Sequence, residues 1–118
     1  MDNYEELEDR TIQFGIRIVK LAKTLTGDLV DKHLAIQVLK SGTAPSAHYA
    51  EAKSAESKAD FTHKLRLATK ETNETVNWLK IIGGSGIVPM ESLEALIDEG
   101  SQLKKIFGAS LTTARKTT

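Results

Sequence analysis

Phe61, Leu65, Ala68, Thr72, Thr75, Leu79 and Ile82 follow one another at steps of four, three, four, three, four and three. That spacing returns every side chain to one face of an α-helix and to no single face of a strand. A heptad seam sustained this long is buried only against other helices. It carries a polar layer, Thr72 and Thr75, in its middle. Ser57, three residues before Asp60, resembles a capping box with Asp in place of the usual Glu. Asp60 with Lys64 and Lys70 with Glu74 are expected i,i+4 pairs on the outer face.

Three further segments repeat the pattern. Leu7, Thr11, Phe14, Ile18, Leu21 and Leu25 alternate steps of four and three, and Ile12, Ile16 and Val19 widen the stripe, as burial between several helices would require. Thr26-Gly27-Asp28 is expected to end this helix, with Gly27 in the left-handed C-terminal position and Asp28 capping the next. The second segment opens with Leu29, Val30 and Leu34, and Ile36, Leu39, Thr43, Ser46 and Ala50 then hold the four-three spacing. From Ser41 its face is small: Gly42, Thr43, Ala44, Ser46, Ala47 and Ala50. Pro45 removes a helical hydrogen bond and crowds the Ser41 carbonyl, at about 3 kcal/mol. A kink near Ser41 and Gly42, or a break into two helices, is therefore expected.

Gly83-Gly84-Ser85-Gly86 is the strongest break in the chain, and Pro89 fits the first turn of a fourth helix. Leu93, Leu96, Gly100, Leu103 and Phe107 form its stripe. Thr112 to Thr118 is polar and aperiodic, and is expected to fray. No stretch alternates apolar with polar residues as a strand does. The expected fold class is all-α, an antiparallel up-down-up-down four-helix bundle. It forms one domain over residues 1–111, followed by a tail over 112–118.

The 118 residues suit a single core. Sixteen basic residues balance sixteen acidic ones, whereas a nucleic-acid binder usually has a basic excess. The chain has no cysteine, which removes disulfides, thiolate nucleophiles and Cys-based zinc sites. Met1 to Glu8 is acidic and unlike a secretory signal, and no apolar run reaches the roughly 20 residues of a membrane helix. A cytoplasmic location without membrane attachment is expected.

Chemical motifs are sparse. Asp60-Phe-Thr-His63 is a single approximation to the Glu-x-x-His of carboxylate-bridged metal sites, which need a pair of such motifs. His33, His48 and His63 have no ligand spacing. Gly83–Gly86 follows a helix rather than a strand and lacks the Lys of a phosphate loop, so it reads as a turn. Asn73-Glu74-Thr75 matches a glycosylation sequon but falls mid-helix. Glu51, His63, Glu71 and Glu74 are the residues that a pocketed active site would use. Neither a catalytic set, a metal site nor a cofactor motif emerges, so no enzyme and no cofactor are expected.

Surfaces are more informative. Gly42, Ala47 and Ala50, with Trp78 beside the third seam, are the candidate close-packing or oligomer surface, because small side chains admit a neighbouring backbone and Trp is enriched at interfaces. A bulky residue at Ala47 is expected to disturb that packing. Lys58, Lys64, Arg66 and Lys70 on the third segment are the candidate nucleic-acid surface, set against a solvated, salt-paired helix face.

Ser41 through Ala52 resembles the second-helix motif of the bacterial four-helix bundle proteins, also called the 23S rRNA intervening-sequence protein family. Ser57 through Leu65 resembles the family's entry into its third helix, and Ala68, Lys70-Glu71, Glu74-Thr75 and Trp78-Leu79 continue the likeness. The resemblance runs from about Leu7 to Phe107. The sequence departs from it at Pro45, His48 and Tyr49, where an apolar helix former, Asn and Ile are usual. The resemblance implies a small bundle assembled as a ring-like homo-oligomer, notably a pentamer, with no established catalytic residues. A related, basic branch serves diversity-generating retroelements by binding a reverse transcriptase and nucleic acid, and the neutral charge here disfavours that branch. The expected protein is thus a non-enzymatic, self-associating scaffold or binding module whose partner is another copy of itself. The alternative is an accessory protein that meets RNA, or an unidentified protein, through a basic surface of the oligomer.

Overall fold

A computed structural model describes residues 3–116 and contains four helices: α1 (Asn3–Ala22), α2 (Leu29–Lys53), α3 (Lys58–Gly84) and α4 (Glu94–Lys116). A short 3-10 turn, Met90–Ser92, precedes α4, and no strand occurs among the described residues. Contacts between named pairs set the helix directions. Lys53 reaches Glu8 while Gly42 and Thr43 face Gly15, so α2 runs antiparallel to α1. Lys64 reaches Glu51 while Trp78 meets His33, so α3 reverses again. Gly83 faces Leu93 and Asn73 accepts from Lys104, which gives α4 the opposite sense to α3. The result is the expected bundle, closed between α4 and α1 by its sparsest contact. The Arg10 guanidinium ties that seam, donating to Glu99 through Nε at 3.1 Å and Nη2 at 2.7 Å.

The third and fourth stripes are buried as their spacing requires. Leu65, Ala68, Thr72, Thr75, Leu79 and Ile82 are buried on α3, with Phe61 half-buried at its entry. Leu93 at the head of α4 is buried with Leu96, Gly100, Leu103 and Phe107. Ser57 caps α3 by accepting the Asp60 N–H at 3.0 Å. Asp28 caps α2 by accepting from Asp31 N at 3.1 Å. The Thr72 hydroxyl donates to the Ala68 carbonyl at 2.7 Å, which satisfies a group that burial would otherwise penalise. Thr75 Oγ1 lies 2.8 Å from the Glu71 carbonyl and 2.9 Å from Ser41 Oγ on α2. One hydroxyl proton serves only one of those acceptors. With Thr75 donating to Glu71, the Ser41 proton is available to Thr75, and the pair links α2 to α3 inside the core.

The second helix departs from expectation in phase. Its buried residues are Leu34, Val38, Ser41, Gly42, Pro45, Tyr49 and Ala52, whereas Ile36 and Leu39 are exposed. Apolar residues occur on both sides of α2, and the side containing Tyr49 holds the larger groups. Tyr49 packs against Phe107 with ring centroids 5.9 Å apart. Pro45 does not break the helix, which continues from Leu29 to Lys53. Its ring is buried, and that burial works against the cost of the lost backbone hydrogen bond.

The ends also shift. α1 stops at Ala22, earlier than Thr26-Gly27, and i→i−3 bonds from Thr24 to Leu21 and from Leu25 to Ala22 tighten its last turn. Gly27 therefore needs no left-handed conformation; the described residue with positive φ is Gly86, at 76°. Pro89 adopts ψ 132°, too extended for a first helical turn, and precedes the 3-10 turn instead. α4 continues through residues 112–116, which were expected to fray. Thr112 and Thr113 donate there to the carbonyls of Gly108 and Ala109. Thr117 and Thr118 lie outside the described residues.

Candidate functional site

The residues expected to form one close-packing surface serve different places. Gly42 is buried between α1 and α2: a Cβ there would lie 2.6 Å from Ile18 Cγ2. Its smallness is therefore used within the bundle. Ala47 is exposed, so a bulky replacement meets solvent or another subunit rather than the bundle interior. Ala50 is half-buried. Trp78 is half-buried towards the other end of the bundle, edge-on to His33 at 6.0 Å.

Several large apolar residues whose spacing suggests burial stand exposed instead. Ile12, Ile16, Val19, Ile36 and Leu39 are each 38–56% exposed. Ile12, Ile16 and Val19 follow the i, i+4, i+7 spacing of one helical stripe. Gly15 faces Gly42 and Thr43, so this stripe borders the α1–α2 seam. On α2, Leu39 lies to the side of the buried face and Ile36 nearly opposite it, both on the outer surface; the antiparallel register sets Leu39 near the level of Val19. Together they form an apolar outer face on the α1–α2 hairpin. Leu29, Val30 and Ile81 are also exposed, Val30 and Ile81 towards the α2–α3 edge that holds Trp78. Single exposed apolar residues need no explanation, but a contiguous set is a feature of interaction surfaces.

The basic residues of α3 do not converge. At about 100° per residue, Lys64 and Lys70 point about 120° apart around the helix. Lys64 turns towards α2, with Nζ 3.7 Å from Glu51 Oε2 rather than on its expected partner Asp60. Arg66 and Lys70 are exposed on the outer side. Lys58 lies at the bundle end and lines a cavity there.

His48, Glu51, Lys64 and Glu71 lie along the seam between α2 and α3 rather than in a pocket. His48 Nδ1 is 3.4 Å from Glu51 Oε1, and Glu51 is shared with Lys64. Burial raises the Glu71 carboxyl above its ordinary range, with help from the Glu74 charge and against His48 and Lys70. Glu51, His63 and Glu74 are exposed, and none of them, nor Glu71, lines the cavity at the bundle end. Asp60 and His63 are joined by no further ligands: among the described residues there is no cluster of three or more His, Asp or Glu that could hold a metal ion. No described helix is long and apolar enough to cross a membrane.

Comparison with known proteins agrees with this architecture. The 23S rRNA-intervening sequence protein family matches residues 6–109. Among solved structures, a protein of unknown function from the S23 ribosomal protein family of Bacteroides thetaiotaomicron superposes with a TM-score of 0.87. It is 31% identical, over 94% of this chain and 99% of that one. None of the curated proteins matches the chain.

Proposed function

The chain belongs to the 23S rRNA-intervening sequence protein family, and from that premise we propose that it is a non-enzymatic, self-associating bundle, a homo-oligomeric cytoplasmic scaffold. The observation that carries this reading is the outer face of the α1–α2 hairpin, where Ile12, Ile16, Val19, Ile36 and Leu39 stand exposed. A 118-residue chain has much surface for its core, and covering such a face with a second copy adds the burial that one bundle lacks. Val30, Trp78 and Ile81 give a second apolar area at the α2–α3 edge. Two unlike apolar areas suit head-to-tail contact, and heterologous contacts that close make rings. A pentamer is the ring that the family resemblance favours.

Light scattering on the purified protein tests the reading. The native mass is expected to be a multiple of 12.9 kDa. Ile16→Lys places a charge in the face and should reduce the mass to that of one chain, with helical circular dichroism retained. A monomeric parent protein, or an Ile16→Lys variant of unchanged mass, refutes it. RNA as partner has less support, because Lys64 is paired within the bundle and the chain is neutral. Salt-sensitive retention of structured RNA by the assembled protein would restore that alternative.

A further inference from the structure

Three seams of this bundle are closed by a loop as well as by packing: residues 23–28 join α1 to α2, residues 54–57 join α2 to α3, and residues 85–93 join α3 to α4. α4 and α1 are not consecutive, and their seam has the sparsest contact in the bundle, whereas α2 and α3 share the most extensive. Midway along the α1–α4 seam, Arg10 donates twice to Glu99 and, through Nη2, to Gln102 Oε1 at 3.2 Å. Gln102 donates in turn to Asp98 Oδ2 at 2.7 Å. The Arg10 and Glu99 side chains keep 32% and 20% of their surface exposed, so water and salt reach the fork. Beside it the apolar contact is smooth. Phe14 lies against Gly100, where an added Cβ would sit 3.4 Å from the ring. Glycine has no side chain to interlock with Phe14, so the two surfaces can part without unlocking a rotamer.

We propose that the native bundle opens at the level of Arg10, α1 and α4 parting about an α2–α3 spine, and that the Arg10 fork is an ionic latch that salt releases. α1 stays on α2 through Lys53 and Glu8 and through the close approach at Gly15 and Gly42. α4 stays on α3 through Lys104 and Asn73 and through Gly100 against Val76. The spine keeps the Ser41–Thr75 hydroxyl link and the Lys64–Glu51 pair. The motion therefore breaks one seam and keeps three, which makes it a sub-global opening that costs less than unfolding. Leu96 and Leu103, three residues before Glu99 and four after it, share its side of α4 and are buried in the closed bundle. Opening exposes them. The outer face of α1 and α2 is undisturbed, so the device goes beyond the proposed self-association and does not depend on it.

The chain has no cysteine, so a single introduced thiol reports the opening. Leu103→Cys places that thiol at the seam, and Ser41→Cys places it on the spine, where the native side chain is also buried. Each variant is labelled with iodoacetamide, a neutral reagent, under native conditions. Its urea unfolding gives the labelling rate that global unfolding alone accounts for. Leu103→Cys should be labelled about tenfold faster than that rate or more, and Ser41→Cys no faster than it. Molar sodium chloride, and separately Arg10→Gln, should each speed Leu103→Cys labelling about two- to fivefold, the range of a partly exposed ion pair. Labelling of Leu103→Cys through global unfolding alone overturns the proposal. So does an equal excess at Ser41→Cys, which would mean that the whole core fluctuates. A Leu103→Cys rate that ignores either salt or Arg10→Gln overturns the latch. If Leu103→Cys does not fold, Leu96→Cys carries the same test on the other side of Glu99.

Discussion

Gly42 and Gly108 both lie inside helices, yet replacement by alanine should act in opposite directions. At Gly42 a Cβ would sit 2.6 Å from Cγ2, 2.7 Å from Cγ1 and 3.0 Å from Cβ of Ile18. Ile18 is fully buried and branched at Cβ, so no rotation clears both γ carbons at once. Overpacking of this kind costs about 1–3 kcal/mol. Removing a helical glycine returns about 1 kcal/mol. The net loss for Gly42→Ala is then about 0–2 kcal/mol, centred near 1. Nothing lies within 4 Å of a Cβ at Gly108, so Gly108→Ala should gain about 1 kcal/mol from the same propensity term. Urea unfolding at fixed protein concentration measures both, through a shift in midpoint at constant slope. With about 2.1 cal/mol/K of unfolding entropy per residue, each kcal/mol moves Tm by about 4 °C. The cause is isolated in an Ile18→Ala background. Truncation removes both γ carbons and leaves only the Cβ at 3.0 Å, so Gly42→Ala should there lose most of its cost, with a coupling energy of about 1–3 kcal/mol. If Gly42→Ala stabilises the parent as much as Gly108→Ala does, close approach at the α1–α2 seam is not what selects glycine.

Three further perturbations probe the core, a turn and a charge. Thr75→Val leaves the buried Ser41 hydroxyl with only the Val38 carbonyl at 3.4 Å, and should cost about 1–3 kcal/mol in urea midpoint. Adding Ser41→Ala should recover part of that loss, and strict additivity would count against the shared hydroxyl link. Gly86→Ala forces a Cβ onto φ 76° and should cost about 1–2 kcal/mol, although no neighbour lies within 4 Å; unchanged stability would show that the turn relaxes freely. Glu71 has a raised pKa in the fold, so its ionisation opposes folding above that pKa and ceases to do so once pH falls below the unfolded value, about 4.3. Glu71→Gln should accordingly stabilise at neutral pH by about 0.2–0.5 kcal/mol, the scale of a like-charge helical pair. The gain should vanish below about pH 4, and a gain that persists in acid would refute the electrostatic cause.

The two C-terminal helices were legible because their large apolar residues have one phase. On α3 and α4 the four-three series meets no rival stripe, and nearly every residue named from spacing is buried. The first two helices carry rival phases. On α1, Ile12, Ile16 and Val19 form a second stripe beside that of Phe14 and Ile18, and spacing does not say how much of it the neighbours cover. On α2 the series Ile36, Leu39, Thr43, Ser46, Ala50 competes with Leu34, Val38, Ser41, Pro45, Tyr49, Ala52. Pro45 and Tyr49 looked like departures from a family pattern, yet they are the core members of the second series. A signal was present in the side-chain volumes, since the first series dwindles to Thr, Ser and Ala beyond Leu39 while the second keeps Pro and Tyr. The bundle-end cleft was not legible at all. Its lining comes from all four helices, and local periodicity contains no information on how four termini meet.

The second phase on α2 also separates the demands of folding from those of assembly. Leu34, Val38, Pro45 and Tyr49 line the bundle interior, whereas Ile36 and Leu39 leave 56% and 38% of their surface exposed. An isolated bundle would be at least as soluble with polar residues there. The same holds for Ile12, Ile16 and Val19 on α1, which border the seam opposite. Five large apolar side chains in surplus to the core, on the two helices whose close approach at Gly15 and Gly42 holds their outer faces in fixed relation, make a rigid surface rather than scattered exposure. If another copy covers that surface, a charge at Ile16 removes burial from the assembly and little from the subunit. Native mass should then fall while the monomer's helicity survives. If the surplus served the fold instead, helicity and mass would fail together.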